Sequence, residues 1–365
     1  MRQRIAWWPS VVLAVVGLGL WGAPAPAADE IVLGSAISQT GKYAREGKFY
    51  VDAYSLTVDA INKAGGVKVG GKPYKLVLKH YDDQSVPNLA VRLFTKLVTS
   101  DKVNFLLGPY SSGITIPASA VAEKYEVPMV QGGGASDKIF DRGYKYIFGT
   151  LPRAELYFQA AIEAAAKMTP RVHTAALLYS NEAFDRSVAE GTRQWLKDQK
   201  IDFIRQSQAA DVNPKMAIFT VGPPTADFRK TLGRAAEYVY GITPWLPEMD
   251  VGGEIFKSAR DFDRQFQERF GYAADYHVAS GAADVLAFKL AIEKAGVLDP
   301  KKVRDALAAL DAETLYGRIK FEPTGQIALS QVLVQIQDGK IVPIYVSGKM
   351  AGKPVYPTPP WGQRK

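Results

Sequence analysis

The chain contains no cysteine. That excludes disulfides, thiolate metal sites and a cysteine nucleophile, and it leaves no residue near the N-terminus for lipid attachment. Histidine is almost as scarce. His80, His173 and His277 are the only three, far apart and without the spacing of a metal-ligand set. Positive charge is not massed anywhere: the formal net charge is +8, or +6 once Arg2 and Arg4 are set aside, and it is scattered as on a solvated basic surface rather than gathered into a nucleic-acid stripe. Beyond residue 20 no apolar run approaches the roughly 20 residues that a membrane helix requires.

What is present is a chain of 365 residues, 47% apolar and 22% charged, with the composition of a soluble globular protein and the length of two domains. Its first 28 residues stand apart. Arg2 and Arg4 precede an apolar run at 11–20, and the small residues at 23–28 supply a cleavage site near Ala28. These are the parts of a secretory signal, and they place the mature chain outside the cytoplasm.

The stretch KVNFLLGPYSSGITIPASAVAEKYEVPMVQGGGASDKIF, residues 102–140, reads strand, turn, helix, strand, turn, helix. Ligands of open parallel sheets collect beyond the carboxyl ends of strands, where helix N-termini aim unpaired N–H groups outward. The first turn offers Ser111 and Ser112 after Gly108-Pro109-Tyr110, and the second offers Gly132, Gly133, Gly134, Ala135 and Ser136. Either turn alone is accounted for by helix capping; the pair on adjacent strands points to a seat for a carboxylate or phosphate.

Around this centre the chain alternates. A strand opening at Glu30, in EIVLGSAISQTG, is followed by a helix at 48–64, a strand at 74–81 and a helix at 88–99, which with the central stretch makes a parallel α/β unit. Asp82 and Asp83, at a strand end before a helix, read as caps and dipole partners rather than catalytic carboxylates. Residues 145–150 read as a strand leaving this unit, with Leu151-Pro152 a rigid joint. A second series follows: helix 153–167, strand 175–179, helix to 198, strand 201–206 and strand 216–221, which ends at Gly222-Pro223-Pro224. Further on lie helices at 254–270 and 276–295 and a hairpin, 329–337 with 340–346, about Asp338-Gly339.

The segments IVLGSAISQTGKYAREG, DDQSVPNLA, KVNFLLGPYSS, VPMVQGGGAS, LLYSNEAFDRSVAEG, MAIFTVGPPTADF and YVYGITPWLP, in that order, resemble the periplasmic solute-binding proteins of the leucine/isoleucine/valine type that serve ABC importers. The resemblance runs from residue 31 to about 345. It implies a type I periplasmic binding fold of two parallel-sheet α/β lobes, one of residues 29–149 plus 250–322 and the other of 150–249 plus 323–365, with hinge crossings near Thr150, Trp245 and Pro323. It also implies a periplasmic, monomeric carrier with no cofactor, metal or catalytic residue, partnered by a small carboxylate such as an amino acid or organic acid and by an ABC permease in the inner membrane.

By the same resemblance, Tyr110, Ser111 and Ser112 with the backbone of Gly133, Gly134, Ala135 and Ser136 hold the ligand carboxylate. Tyr43 closes over it, and Phe184, Gly222 and Tyr276 line the other walls. Amino-acid binders also need an acidic partner for the ligand ammonium. Where the family carries it, this chain has Gly222-Pro223-Pro224, with Asp227 and Glu182 nearby, which leaves open a carboxylate without an amino group, aromatic or aliphatic.

Between the strand ending at Gln206 and the one beginning at Met216 there are too few residues for the crossover that parallel neighbours require. The family's helix, strand and helix are expected to be missing here, which would shorten the second lobe and impair closure or leave a non-binding remnant. An enzyme is disfavoured: GPYSSG is not a G-x-S-x-G elbow and GGGAS lacks the phosphate-loop lysine. A receptor module of the same fold would need a membrane or signalling segment after Tyr356-Pro357, and none follows.

Overall fold

The computed structural model describes residues 29–204 and 214–364. The leader expected at 1–28 lies outside them, as do Arg205 and Gln206 of the expected strand and the linker to Asn213. In chain order the elements are β1 (Glu30–Ala36), α1 (Ala44–Lys63), β2 (Val67–Val69), β3 (Lys72–Tyr81), α2 (Pro87–Thr99), β4 (Phe105–Leu107), α3 (Ser112–Tyr125), β5 (Met129–Gln131), β6 (Ile147–Gly149) and α4 (Gln159–Lys167). There follow β7 (Thr174–Ala175), α5 (Ala183–Asp198), β8 (Asp202–Phe203), β9 (Ile218–Phe219), α6 (Ala226–Leu232), β10 (Tyr240–Thr243), α7 (Ala259–Phe270), α8 (Tyr276–Ala295) and α9 (Pro300–Ala308). The last are β11 (Asp311–Thr314), β12 (Gly317–Lys320), β13 (Val332–Gln337), β14 (Lys340–Val346) and β15 (Lys349–Met350).

Six strands form one sheet in the order β2-β3-β1-β4-β5-β6, parallel except where β2 turns back on β3 through Gly70-Gly71. Both glycines have positive φ, which a tight hairpin of this kind needs. A second sheet runs β15-β14-β13-β10-β9, with β10 and β9 parallel and the rest antiparallel. α8 is apolar on all sides, as its sequence dictates, and is accordingly buried almost throughout, against α1, α9 and β5. Phe288 of α8 stacks on Phe105 of β4 at 5.2 Å, fixing the helix to the first sheet.

The chain passes from one sheet to the other after β6, returns after β10 and crosses again before β13. The first and third passages run side by side, joined by Gly149 N–H to Gly325 O at 2.8 Å and Ile327 N–H to Gly149 O at 2.9 Å. Thr150, at the first passage, is tied to α8 through Ser280 and Asp284 at 2.9 and 2.7 Å.

Several expectations are corrected. The helix expected at 153–167 is a short 3₁₀ turn, Ala154–Leu156, followed by α4, because Phe158, at φ −93° and ψ 6°, departs from helical geometry and becomes the cap from which α4 starts. The helix expected from 254 begins only at Ala259, where Ser258 accepts a bond from the Asp261 amide and caps it. Asp82 and Asp83 are not helix caps: α2 is capped by Val86 with no side-chain bond. Asp82 Oδ1 instead accepts the amides of Gln39, Thr40 and Gln84, and Asp83 Oδ1 accepts the Ser38 hydroxyl at 2.6 Å. The two carboxylates clamp the loop after β1.

The strand expected at 175–179 survives only as Thr174–Ala175. β7 pairs with β8 alone, in a two-stranded piece separate from the five-stranded sheet. Among the described residues no strand joins the β7-β8 pair to β9, so β7 has a ladder on one side only. Leu178, Tyr179, Ile204 and Phe219 are exposed around this gap, Leu178 at 91%.

Candidate functional site

A cavity of about 230 Å³ opens where the carboxyl ends of β4 and β5 face α5 and the segment before it. Gly108-Pro109-Tyr110-Ser111 leads from β4 into α3, whose Ser112 and Gly113 amides have no intrahelical partner, while the Ile114 amide already donates to Ser111 O at 3.0 Å. Ser111 occupies the cap position but makes no capping bond, so its hydroxyl is left for the cavity it lines. Ser112, the next residue, is turned inward and accepts the amides of Ala135 and Ser136, each at 3.1 Å. That bond locks the two turns together. The approach is close: a Cβ on Gly133 would meet Pro109 O at 2.2 Å, so only glycine fits between them.

The walls are aromatic. Tyr43 and Tyr110 meet edge to face at 5.5 Å, Tyr110 lies 5.8 Å from His277, and Tyr276 stacks on His277 at 4.0 Å. Opposite them Tyr157 and Phe184 meet edge-on at 5.0 Å. Burial holds the phenols of Tyr110, Tyr157 and Tyr276 far above their ordinary value, so each stays neutral and able to donate a hydrogen bond. Asp275 caps α8 through the amides of His277 and Val278. Burial drives its carboxyl up, but the charge and hydrogen bonds of His277 outweigh burial and hold it below the usual carboxylate value.

Ion pairs cross the mouth. Lys42, in the clamped loop after β1, meets Glu182 at 2.8 Å, and Arg45 of α1 meets Asp227 of α6 at 3.0 Å. Lys42 and Glu182 line the cavity; Asp227 does not.

Of the residues expected at the site, Tyr43, Tyr110, Ser111, Ser112, Gly133, Ala135, Phe184 and Tyr276 come together around this one cavity. Three do not. Gly134 is turned away, its amide donating to Gln131 Oε1 at 2.6 Å. Ser136 points its hydroxyl at Ser187 of α5, 2.8 Å away. Gly222 lies behind Val221 and packs beneath the Phe228 ring, which a Cβ there would meet at 2.5 Å. The amides of Ala135 and Ser136, expected to face a ligand, are already taken by Ser112. Sequence reasoning missed Lys42, Tyr157 and His277, each of which lines the cavity. The aspartate directly before Tyr276-His277 was the available signal for His277, since a capped helix start places its first side chains at a fixed edge.

Among the described residues no group of histidine and carboxylate side chains is placed to hold a metal ion, and no helix is long and apolar enough to cross a membrane.

The sequence profile of the family described as periplasmic binding protein matches residues 30–204 and 198–340. The leucine-, isoleucine-, valine-, threonine- and alanine-binding protein of Pseudomonas aeruginosa is 26% identical over 357 residues, covering 87% of this chain and 92% of its own length. A branched-chain amino acid transporter substrate-binding protein of Streptococcus pneumoniae, solved with isoleucine, superposes with a TM-score of 0.73 at 18% identity, covering 87% of this chain and 99% of that one. A solute-binding protein of an ABC transporter from R. palustris, solved with benzoate, superposes with a TM-score of 0.73 at 17% identity, covering 90% and 99%.

Proposed function

We propose that this chain, which belongs to the periplasmic binding protein family, captures a small carboxylate in the cavity between its two sheets and presents the closed form to an ABC permease. The observation that carries this is the cavity itself: the start of α3 and the free Ser111 hydroxyl on one side, and the aromatic wall of Tyr157 and Phe184 on the other. A carboxylate at that helix start gains hydrogen bonds to unpaired amides and a favourable dipole. The apolar body of the ligand is then left against the rings. Binding proteins solved with isoleucine and with benzoate share this fold and support a carboxylate as the common element.

On this reading the chain is exported to the periplasm and has two lobes, 29–149 with 250–322 and 150–249 with 323–365. The paired passages at Gly149 and Gly325, with the one at Trp245, act as the hinge. Contacts from both lobes favour the closed state, and no covalent chemistry is involved. The second lobe lacks a helix-strand-helix between β8 and β9. The separate β7-β8 piece and the break of the family match into 30–204 and 198–340 support that reading.

The test is a thermal-shift screen of the purified chain against amino acids and aromatic and aliphatic carboxylates, with small-angle scattering on any hit. A ligand at a hundredfold excess over its Kd should stabilise by about 2.7 kcal/mol and contract the particle. A cooperative melt that no carboxylate raises would overturn the carrier reading.

A further inference from the structure

Glu182 is the cavity carboxylate best placed to meet a cation on a ligand. Its Oε2 lies 4.0 Å from the point where a Cβ on Gly113 would stand, and the Ser111 hydroxyl is equally near that point. It is therefore next to the start of α3, where a ligand carboxylate would sit, and within reach of an amino group on the adjacent carbon. Asp185, the other carboxylate of the lining, accepts the Ser180 hydroxyl. Asp227 lies outside the lining and is held by Arg45.

Glu182 is not free, however. The Lys42 ammonium sits on its Oε1 at 2.8 Å and is itself part of the lining, 5.0 Å from the Tyr43 ring centroid. The protein thus supplies with its own side chain the ammonium that an amino acid would bring. A ligand α-ammonium entering here would have to displace Lys42 or lie beside it as a like charge, and either costs binding energy. A carboxylate without an amino group meets neither obstacle.

We propose that Lys42 is a specificity-determining residue: by occupying Glu182 it selects carboxylates that carry no amino group beside the carboxylate. This rests on the carrier reading above. The aromatic walls suit a flat or branched body, and the pair acts as a charge filter at the mouth while Ser111 and the start of α3 hold the common carboxylate.

The experiment compares matched ligands that differ only in the amino group, 3-phenylpropanoate against phenylalanine and 4-methylpentanoate against leucine, by calorimetry on the full mature chain. Four proteins are used: the wild type, Lys42→Met, Lys42→Arg and the double variant Lys42→Met/Glu182→Gln. The wild type is expected to bind the unaminated member of each pair at least tenfold more tightly. Lys42→Met should narrow or reverse that ratio, because Glu182 is released to an incoming ammonium. Lys42→Arg should keep it, and the double variant should lose what Lys42→Met gained. Melting curves check that the variants fold; the pair is solvent-exposed, so they should move little. A wild type that favours the amino acids, or a ratio unchanged in Lys42→Met, overturns the role of Lys42 alone. Binding of no carboxylate by any of the four overturns the carrier reading and this proposal with it.

Discussion

Two adjacent serines at the start of α3 do different work, and substitution separates them. Ser112 Oγ is buried and accepts two amides of the neighbouring turn. Ser112→Ala strands both amides and should cost about 1–3 kcal/mol of stability, read as a lower melting midpoint. Ser111 has no such bond to lose. Ser111→Ala should leave the midpoint unchanged and weaken carboxylate binding on the order of 10- to 100-fold, the loss expected for a hydrogen bond to a charged group. Equal effects of the two substitutions on stability would contradict the assignment. Asp284 gives a pH signature. Burial pushes its carboxyl from 3.8 up to about 8, and bonds from Thr150 and Tyr54 oppose the rise only in part. Between those values the native protein keeps a proton that the unfolded chain has released. The stability this carries is complete in acid and is lost as pH rises through about 8, with a limiting slope of about 1.4 kcal/mol per pH unit. Asp284→Asn should flatten that decline in midpoint-against-pH curves, and an unaltered slope would show that another group sets it.

Among the elements, those whose pattern is local were legible from the sequence. The alternation of strands and helices through β5, the all-round apolar α8 and the hairpin about Asp338-Gly339 follow from periodicity and turn chemistry close along the chain. What was not legible depends on distant partners. Asp82 and Asp83 clamp a loop more than forty positions away, and no local spacing distinguishes that from a cap. Likewise Lys42, Tyr157 and His277 reach one cavity from three separate segments. The strand expected at 175–179 has the right residues but a neighbour, β8, on one side only and for two residues, so the apolar side chains beyond Ala175 stand exposed instead. The outer edges of β7 and β9 are therefore open templates for another chain. Leu178→Lys removes an apolar side chain that is 91% exposed. It should reduce concentration-dependent light scattering while moving stability by no more than about 0.5 kcal/mol. Scattering that persists unchanged would mean that association uses a different surface.

At the scale of the whole molecule, Lys42 to Glu182 and Arg45 to Asp227 are the ion pairs that join the loop and helix after β1 to the elements around α5 and α6. Both are exposed, each worth about 0–1 kcal/mol, and both are screened as the Debye length falls from about 30 Å at 0.01 M to about 3 Å at 1 M salt. Ligand affinity should therefore drop a few-fold across that range, and Arg45→Ala should remove part of the dependence. An affinity indifferent to salt would mean that the pairs contribute nothing to closure.

α8 also governs the order in which the chain can become itself. The first sheet is laid down by residues 30–149, yet the helix that seals one of its faces is residues 276–295. A polypeptide emerging from its N-terminus must hold that sheet open, with Tyr50 and Phe105 uncovered, until nearly all of it has appeared. Contacts of such long range are slow to form. On the export reading proposed above, that delay favours passage through a membrane before folding. A fragment ending at residue 270 should accordingly show no cooperative melt where the full chain shows one.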